Sequence, residues 1–201
     1  MGQARNKVLG AAVFISCLCA LQSFTVVLEL DRQKVLSGEI WRIWTGHLVH
    51  TNLSHLSLNI VAALFVYFAF FSKIRLGELL ACAFVFTPLI SVALLCIYPE
   101  IEWYNGLSGL LHALVAYCSI RMARDGDMVF WLGLGIVWLK VLAEAIGANA
   151  GTQNLIGDMT VVVEAHLIGV FIGTIAAIIS MMFYITNTSA RRVTREAEEG
   201  R

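Results

Sequence analysis

Residues 161–186 read VVVEAHLIGVFIGTIAAIISMMFYIT, and after Glu164 no charged side chain interrupts the run. An α-helix rises about 1.5 Å per residue, so about 20 apolar residues cross a hydrocarbon core of about 30 Å. This stretch is long enough to do so. Small residues recur at every fourth position, Ala165, Gly169, Gly173 and Ala177, and therefore form a stripe along one helix face. Such a stripe lets a second helix approach closely with no lipid between the two.

Working outward, five further apolar runs lie at 8–30, 55–71, 77–98, 107–120 and 128–148. The 201-residue chain is 59% hydrophobic and 14% charged. Soluble domains carry about 25% charged residues, so this chain lacks the surface to stay in water. Its hydrophobicity excludes disorder. With 14 basic and 14 acidic side chains, it has no cationic excess with which to neutralise nucleic-acid phosphates. Backbone groups in lipid must pair within the segment, and the alternation of barrel strands is absent. The sequence thus predicts an all-α integral membrane protein with six spans. One membrane domain over residues 1–186 is followed by a polar tail, 187–201.

Arg5 and Lys7 before the first run resemble the start of a signal peptide. The run is too long for a signal core, no A-x-A site follows, and Phe14–Cys17 is a poor lipoprotein-type match. It reads as a retained span. An inward N-terminus places Arg5, Lys7, Lys73, Arg75, Arg121, Arg124, Arg191, Arg192, Arg195 and Arg201 in the cytoplasm, and only Arg32, Lys34 and Arg42 outside. That asymmetry predicts both termini facing the cytoplasm. Loop 99–105 carries Glu100 and Glu102, loop 149–160 has no Lys or Arg, and both belong outside. Trp41 and Trp44 suit a loop, 31–54, lying half-submerged at the outer headgroups. The cysteines, Cys17, Cys19, Cys82, Cys96 and Cys118, all fall inside spans without C-x-x-C or Cys/His metal spacing. They read as small packing residues, and neither metal nor cofactor is expected.

Polar groups inside spans are costly and mark function by default. Span two opens with His55 and Asn59, and span four with Ser108 and His112, each pair four apart and so on one face. Span six carries Glu164 and His166. All three spans enter from the outside, so topology gathers Ser108, His55, Asn59, His112 and His166 at one depth. Span four is short, and its inner end is held by Arg121 and Arg124. Its outer end should therefore stop below the surface, drawing loop 103–105 into the membrane, where non-helical backbone is tolerated only beside protein or a watery cavity. Gly109, Ala113 and Ala116 on span four can meet the small stripe of span six. A single Ser or His in a span serves most often as an interhelical hydrogen bond, and Gly-x-x-x-Gly most often only packs. Lys140 and Glu144, four apart, read as an internal ion pair. Glu164 reads as facing the outer water. The convergence, not any single residue, points to chemistry.

Trp41–His50 (WRIWTGHLVH) with His55-Leu56-Ser57-Leu58-Asn59 resembles the first loop and second helix of rhomboid intramembrane serine proteases. Gly106-Leu107-Ser108-Gly109 matches their Gly-x-Ser-Gly motif, and Ala165-His166-Leu167-Ile168-Gly169, continued to Gly173, their sixth-helix histidine motif. The string Gly106–His112 and Glu164-Ala165-His166 look like the rhombosortase branch, which also tends to carry a Glu where Glu144 stands. Ala113, Ala143 and Ala145 depart from that branch's pattern.

The resemblance implies a Ser108–His166 dyad, with an oxyanion site of His55, the Asn59 amide and the Ser108 N–H. His112, His50, Gly106 and Gly109 would be supporting residues, His112 standing where relatives place a stacking Tyr. No acidic residue is expected to orient His166, since Glu164, two residues away, lies on another face. Implied substrates are membrane-anchored proteins ending in a Gly-Gly motif, one membrane helix and a basic tail. The implied place is the inner membrane of a Gram-negative bacterium, with the site toward the periplasm. Alternatives left open are a general rhomboid protease of other single-span proteins and a non-catalytic rhomboid relative that binds clients. A third is a small transporter using Lys140, Glu144 and Glu164.

Overall fold

The computed structural model describes residues 2–70, 73–147 and 161–199. The described residues are mostly helical, with one minimal strand pair among them. α1 (Gly2–Leu21) passes through a 3-10 turn, Gln22–Phe24, into the single-turn α2 (Thr25–Leu28). β1 (Leu30–Asp31), α3 (Arg32–Leu36), α4 (Arg42–Thr45) and a second 3-10 turn, Gly46–Leu48, follow. The main bundle is completed by α5 (Leu53–Phe70), α6 (Leu76–Ile97), α7 (Ser108–Arg124), α8 (Val129–Ala145) and α9 (Val163–Glu199), with β2 (Trp103–Tyr104) preceding α7.

Among the described residues, four stretches are long and apolar enough to cross a bilayer: Val8–Leu28, Leu53–Phe70, Leu76–Ile97 and Val163–Thr186. The other two predicted spans form helices of 17 residues each, α7 and α8. Apolar side chains point outward: Val61, Phe65 and Phe68 on α5 and Leu132, Ile136 and Leu139 on α8 are all exposed. Each trio follows the four-then-three spacing of one helix face, as expected where lipid is the solvent. The protein is a multi-pass membrane protein.

α7 is the hub. Twelve of its residues, from Gly109 to Ala123, are buried, and its largest interface is with α9. The small-residue stripes meet as the sequence predicts. A Cβ added at Gly169 would collide with the Gly109 carbonyl oxygen, and one at Gly173 with that of Ala113. Only glycine permits this approach. At its C-terminal end α7 runs beyond the predicted 120 to Arg124, and there Tyr117 and Arg121 both bond Glu78 of α6 at 2.9 and 3.2 Å.

The first span departs from the prediction of one helix over 8–30. Regular helix stops at Leu21, and Glu29 is already extended, with ψ at 150°. Side chains of the following loop take the carbonyls this leaves open. The buried Arg42 guanidinium donates to Val26 O and Glu29 O at 3.1 and 2.8 Å, and Thr45 Oγ1 donates to Leu28 O at 2.6 Å. β1 then pairs antiparallel with β2, Leu30 opposite Tyr104 and Asp31 opposite Trp103. This ribbon holds the segment before α7 against the first loop.

Loop 31–54 is bonded to α6. Pro88 inside α6 has no N–H, so the Phe84 carbonyl loses its helical partner. Trp44 Nε1 donates to that oxygen at 3.0 Å. His47 lies fully buried, its Nε2 3.1 Å from Thr87 O and 3.0 Å from Ser91 Oγ, while Ser91 donates to Ile43 O at 2.8 Å. Arg32 caps the end of the same helix through Tyr98 O at 2.9 Å. Loop 149–160, predicted outside for its lack of cations, lies outside the described residues.

Candidate active site

Ser108 is the first residue of α7, so its N–H belongs to the unpaired, positive end of the helix. The chain reaches it through Gly106, whose φ of +122° is a conformation that side chains disfavour. A Cβ there would also stand 2.6 Å from Cε1 of His55. The Gly-x-Ser pattern thus has a steric cause: glycine makes the turn and leaves room for the imidazole. Gly106 N donates to Gly46 O at 3.0 Å, and Tyr104 Oη donates to Gly106 O at 2.8 Å, which fixes the turn from both sides.

His166 enters from α9. Its ring is buried, with Nε2 2.9 Å from Ser108 Oγ. The close α7–α9 contact is what brings a short serine side chain within reach. His112, one turn into α7, stacks on the His166 ring at 4.3 Å between centroids and 16° between planes. Its Nδ1 lies 2.7 Å from Ser108 O.

His55 sits on α5, whose first turn is capped by Asn52 Oδ1 accepting from His55 N at 2.8 Å. Asn59, one turn on and buried, donates from Nδ2 to His55 O at 2.9 Å. His50 packs edge-on against the His55 ring at 5.0 Å and accepts from Leu107 N at 3.4 Å. Gly109 lies 3.0 Å, at its would-be Cβ, from Tyr104 Oη and 3.1 Å from Ala165 O. His50, His55, His112 and His166 therefore surround residues 106–108. Glu164 is half-buried near the start of α9.

One expectation is overturned. The sequence predicts no acid placed to orient His166, yet Glu144 Oε2 of α8 lies 2.9 Å from His166 Nδ1, both side chains being 4% exposed. The predicted Lys140–Glu144 pair does form, at 2.7 Å, but through Oε1. A carboxylate has two oxygens, so the ion pair leaves the second free for the histidine. The ligand atoms of His112, Glu144 and His166 lie within 4.8 Å of one another and could in principle share a cation. Lys140 Nζ, bonded to both Glu144 and His112 Nε2 at 3.1 Å, already places a positive charge there, and a metal would have to displace it.

A lipid-facing helical bundle in which a serine at a helix N-terminus meets an imidazole across a glycine-lined contact has the makings of an intramembrane hydrolase. The Rhomboid domain family model matches residues 37–183, and the chain belongs to the rhomboid family. That family comprises serine intramembrane proteases, which act on membrane proteins within the bilayer.

Proposed function

We propose that this protein is an intramembrane serine endopeptidase in which Ser108 is the nucleophile and His166 its base. The observation that carries the reading is the 2.9 Å contact between Ser108 Oγ and His166 Nε2. In the proposed reaction Ser108 Oγ attacks the scissile carbonyl while its proton passes to His166 Nε2. The tetrahedral intermediate collapses as His166 returns that proton to the leaving amine, which leaves an acyl-enzyme. A water molecule, deprotonated by His166, then releases the acid and restores Ser108. The oxyanion would be met by the Ser108 N–H at the positive end of α7, the Asn59 amide and His55. A donor of this kind is worth about 10²–10³ in rate. The stacking of His112 on His166, and the bond from Leu107 N–H to His50, would hold the histidine and the nucleophile turn in place.

In the same reading α7 and α8 complete six spans within a single domain, residues 1–186. Both termini lie in the cytoplasm, with 187–201 as a tail. The half-exposed α8 lies against the site and the open lipid face, a route by which a substrate helix can enter laterally. The motif strings Gly106–His112 and Glu164–His166 favour the rhombosortase branch, acting on proteins that end in Gly-Gly, a membrane helix and a basic tail in the inner membrane of a Gram-negative bacterium. Incubating the purified protein in liposomes with a reporter of that design, and weighing the products, tests this. Cleavage beside the Gly-Gly pair, lost when that pair is replaced, is expected. Equal cleavage of single-span reporters without it assigns the protein to general rhomboid proteolysis, and no cleavage of either by an intact fold favours the client-binding alternative.

A further inference from the structure

Resting on the Ser108–His166 reading, we propose that Glu144 is the positioning residue of the catalytic histidine and that Lys140 fixes which way its carboxylate faces. Five contacts, taken in order, assign the ring protons of both histidines. A carbonyl oxygen only accepts, so His112 Nδ1 carries the hydrogen in its 2.7 Å bond to Ser108 O. The remaining His112 nitrogen, Nε2, is then an acceptor, and Lys140 Nζ donates to it at 3.1 Å. Lys140 donates a second hydrogen to Glu144 Oε1 at 2.7 Å. Glu144 Oε2 is left to accept from His166 Nδ1–H at 2.9 Å. His166 Nε2 thereby presents a lone pair to the Ser108 hydroxyl at 2.9 Å.

The closed circuit Ser108–His166–Glu144–Lys140–His112 selects the one imidazole tautomer that can take the serine proton. Its charge arrangement also suits the reaction. When His166 gains the proton, the imidazolium has the Glu144 carboxylate on one edge and the neutral His112 ring on its face. Lys140 is 41% exposed and Glu144 only 4%, so the carboxylate it orients is enclosed by its bonded partners.

The orienting role of Lys140 makes a prediction that a packing role does not. In Glu144→Gln the amide oxygen turns toward Lys140, since an ammonium only donates. The NH2 group then faces His166 Nδ1 and imposes the opposite tautomer, with hydrogen on Nε2. Removing Lys140 in that background frees the amide to rotate and present its oxygen to Nδ1–H. The test measures kcat and KM for reporter cleavage in liposomes by the wild type, Glu144→Gln, Lys140→Met with Glu144→Gln, and Ser108→Ala. Glu144→Gln is expected to lower kcat by about 10²–10⁴ with KM unchanged. The double variant is expected to recover kcat by about tenfold or more over Glu144→Gln. A Glu144→Gln enzyme within about threefold of wild type overturns the proposal, and so does a double variant no faster than the single one. Cleavage by Ser108→Ala would instead defeat the underlying protease reading.

Discussion

Gly173 of α9 rests directly on the Ala113 carbonyl of α7, leaving no space for even a methyl group between the two backbones. The same contact, one turn earlier on both helices, sets Gly169 on Gly109 and carries His166 to Ser108. Helix packing and the Ser108–His166 contact share one seam.

Gly173→Ala must push α9 away from α7, at an overpacking cost of about 1–3 kcal/mol. A lower melting temperature in detergent and a fall in kcat are expected together, because the Ser108–His166 contact widens. Gly135→Ala on α8, where nothing lies within 4 Å of the added methyl, should leave both unchanged or slightly raise stability. Equal behaviour of the two variants would contradict the seam.

Gly106→Ala introduces a Cβ against the His55 ring and strains a φ of +122°. Such strain costs about 1–3 kcal/mol and falls on the turn that aims Ser108. Cleavage of the reporter should drop by about tenfold or more, and an unchanged kcat would contradict the role of this turn.

His47, in the loop outside the spans, is held neutral. Burial pulls its imidazole down to about 4, outweighing the Thr87 carbonyl that favours the charged form. The unfolded chain binds the extra proton below about pH 6.5, so stability falls as pH drops from there toward 4, by up to about 3 kcal/mol. Melting temperature measured across that window should decline, and His47→Gln should flatten the slope. An unchanged slope would refute the assignment to His47.

Much of this was readable from residue spacing. The four-residue stripe Ala165, Gly169, Gly173 and Ala177 foretold the helix contact, and the shared depth of Ser108, His112, His55 and His166 foretold the cluster, because helical period and span direction are local properties. Glu144 was missed since it comes from a third helix and already had a sequence-near partner in Lys140. The rotation of α8 about its axis is set by tertiary packing, and i,i+4 spacing says nothing of a second carboxylate oxygen. The break of the first span at Leu21 was hidden likewise. Arg42 and Thr45, distant in sequence, take the carbonyls of Val26, Leu28 and Glu29 where the segment after that break ends. Pro88 carried a legible signal, a freed carbonyl at Phe84, but not the identity of Trp44 as its donor.

The central claim is that His166 activates Ser108 inside the membrane domain. The most direct measurement treats the full-length protein in detergent with an activated fluorophosphonate and locates the adduct by peptide mass spectrometry. A single adduct on Ser108 is expected in the wild type, formed at least about 100-fold more slowly in His166→Ala and absent in Ser108→Ala. An adduct on another residue, or Ser108 labelled at the wild-type rate without His166, would contradict it.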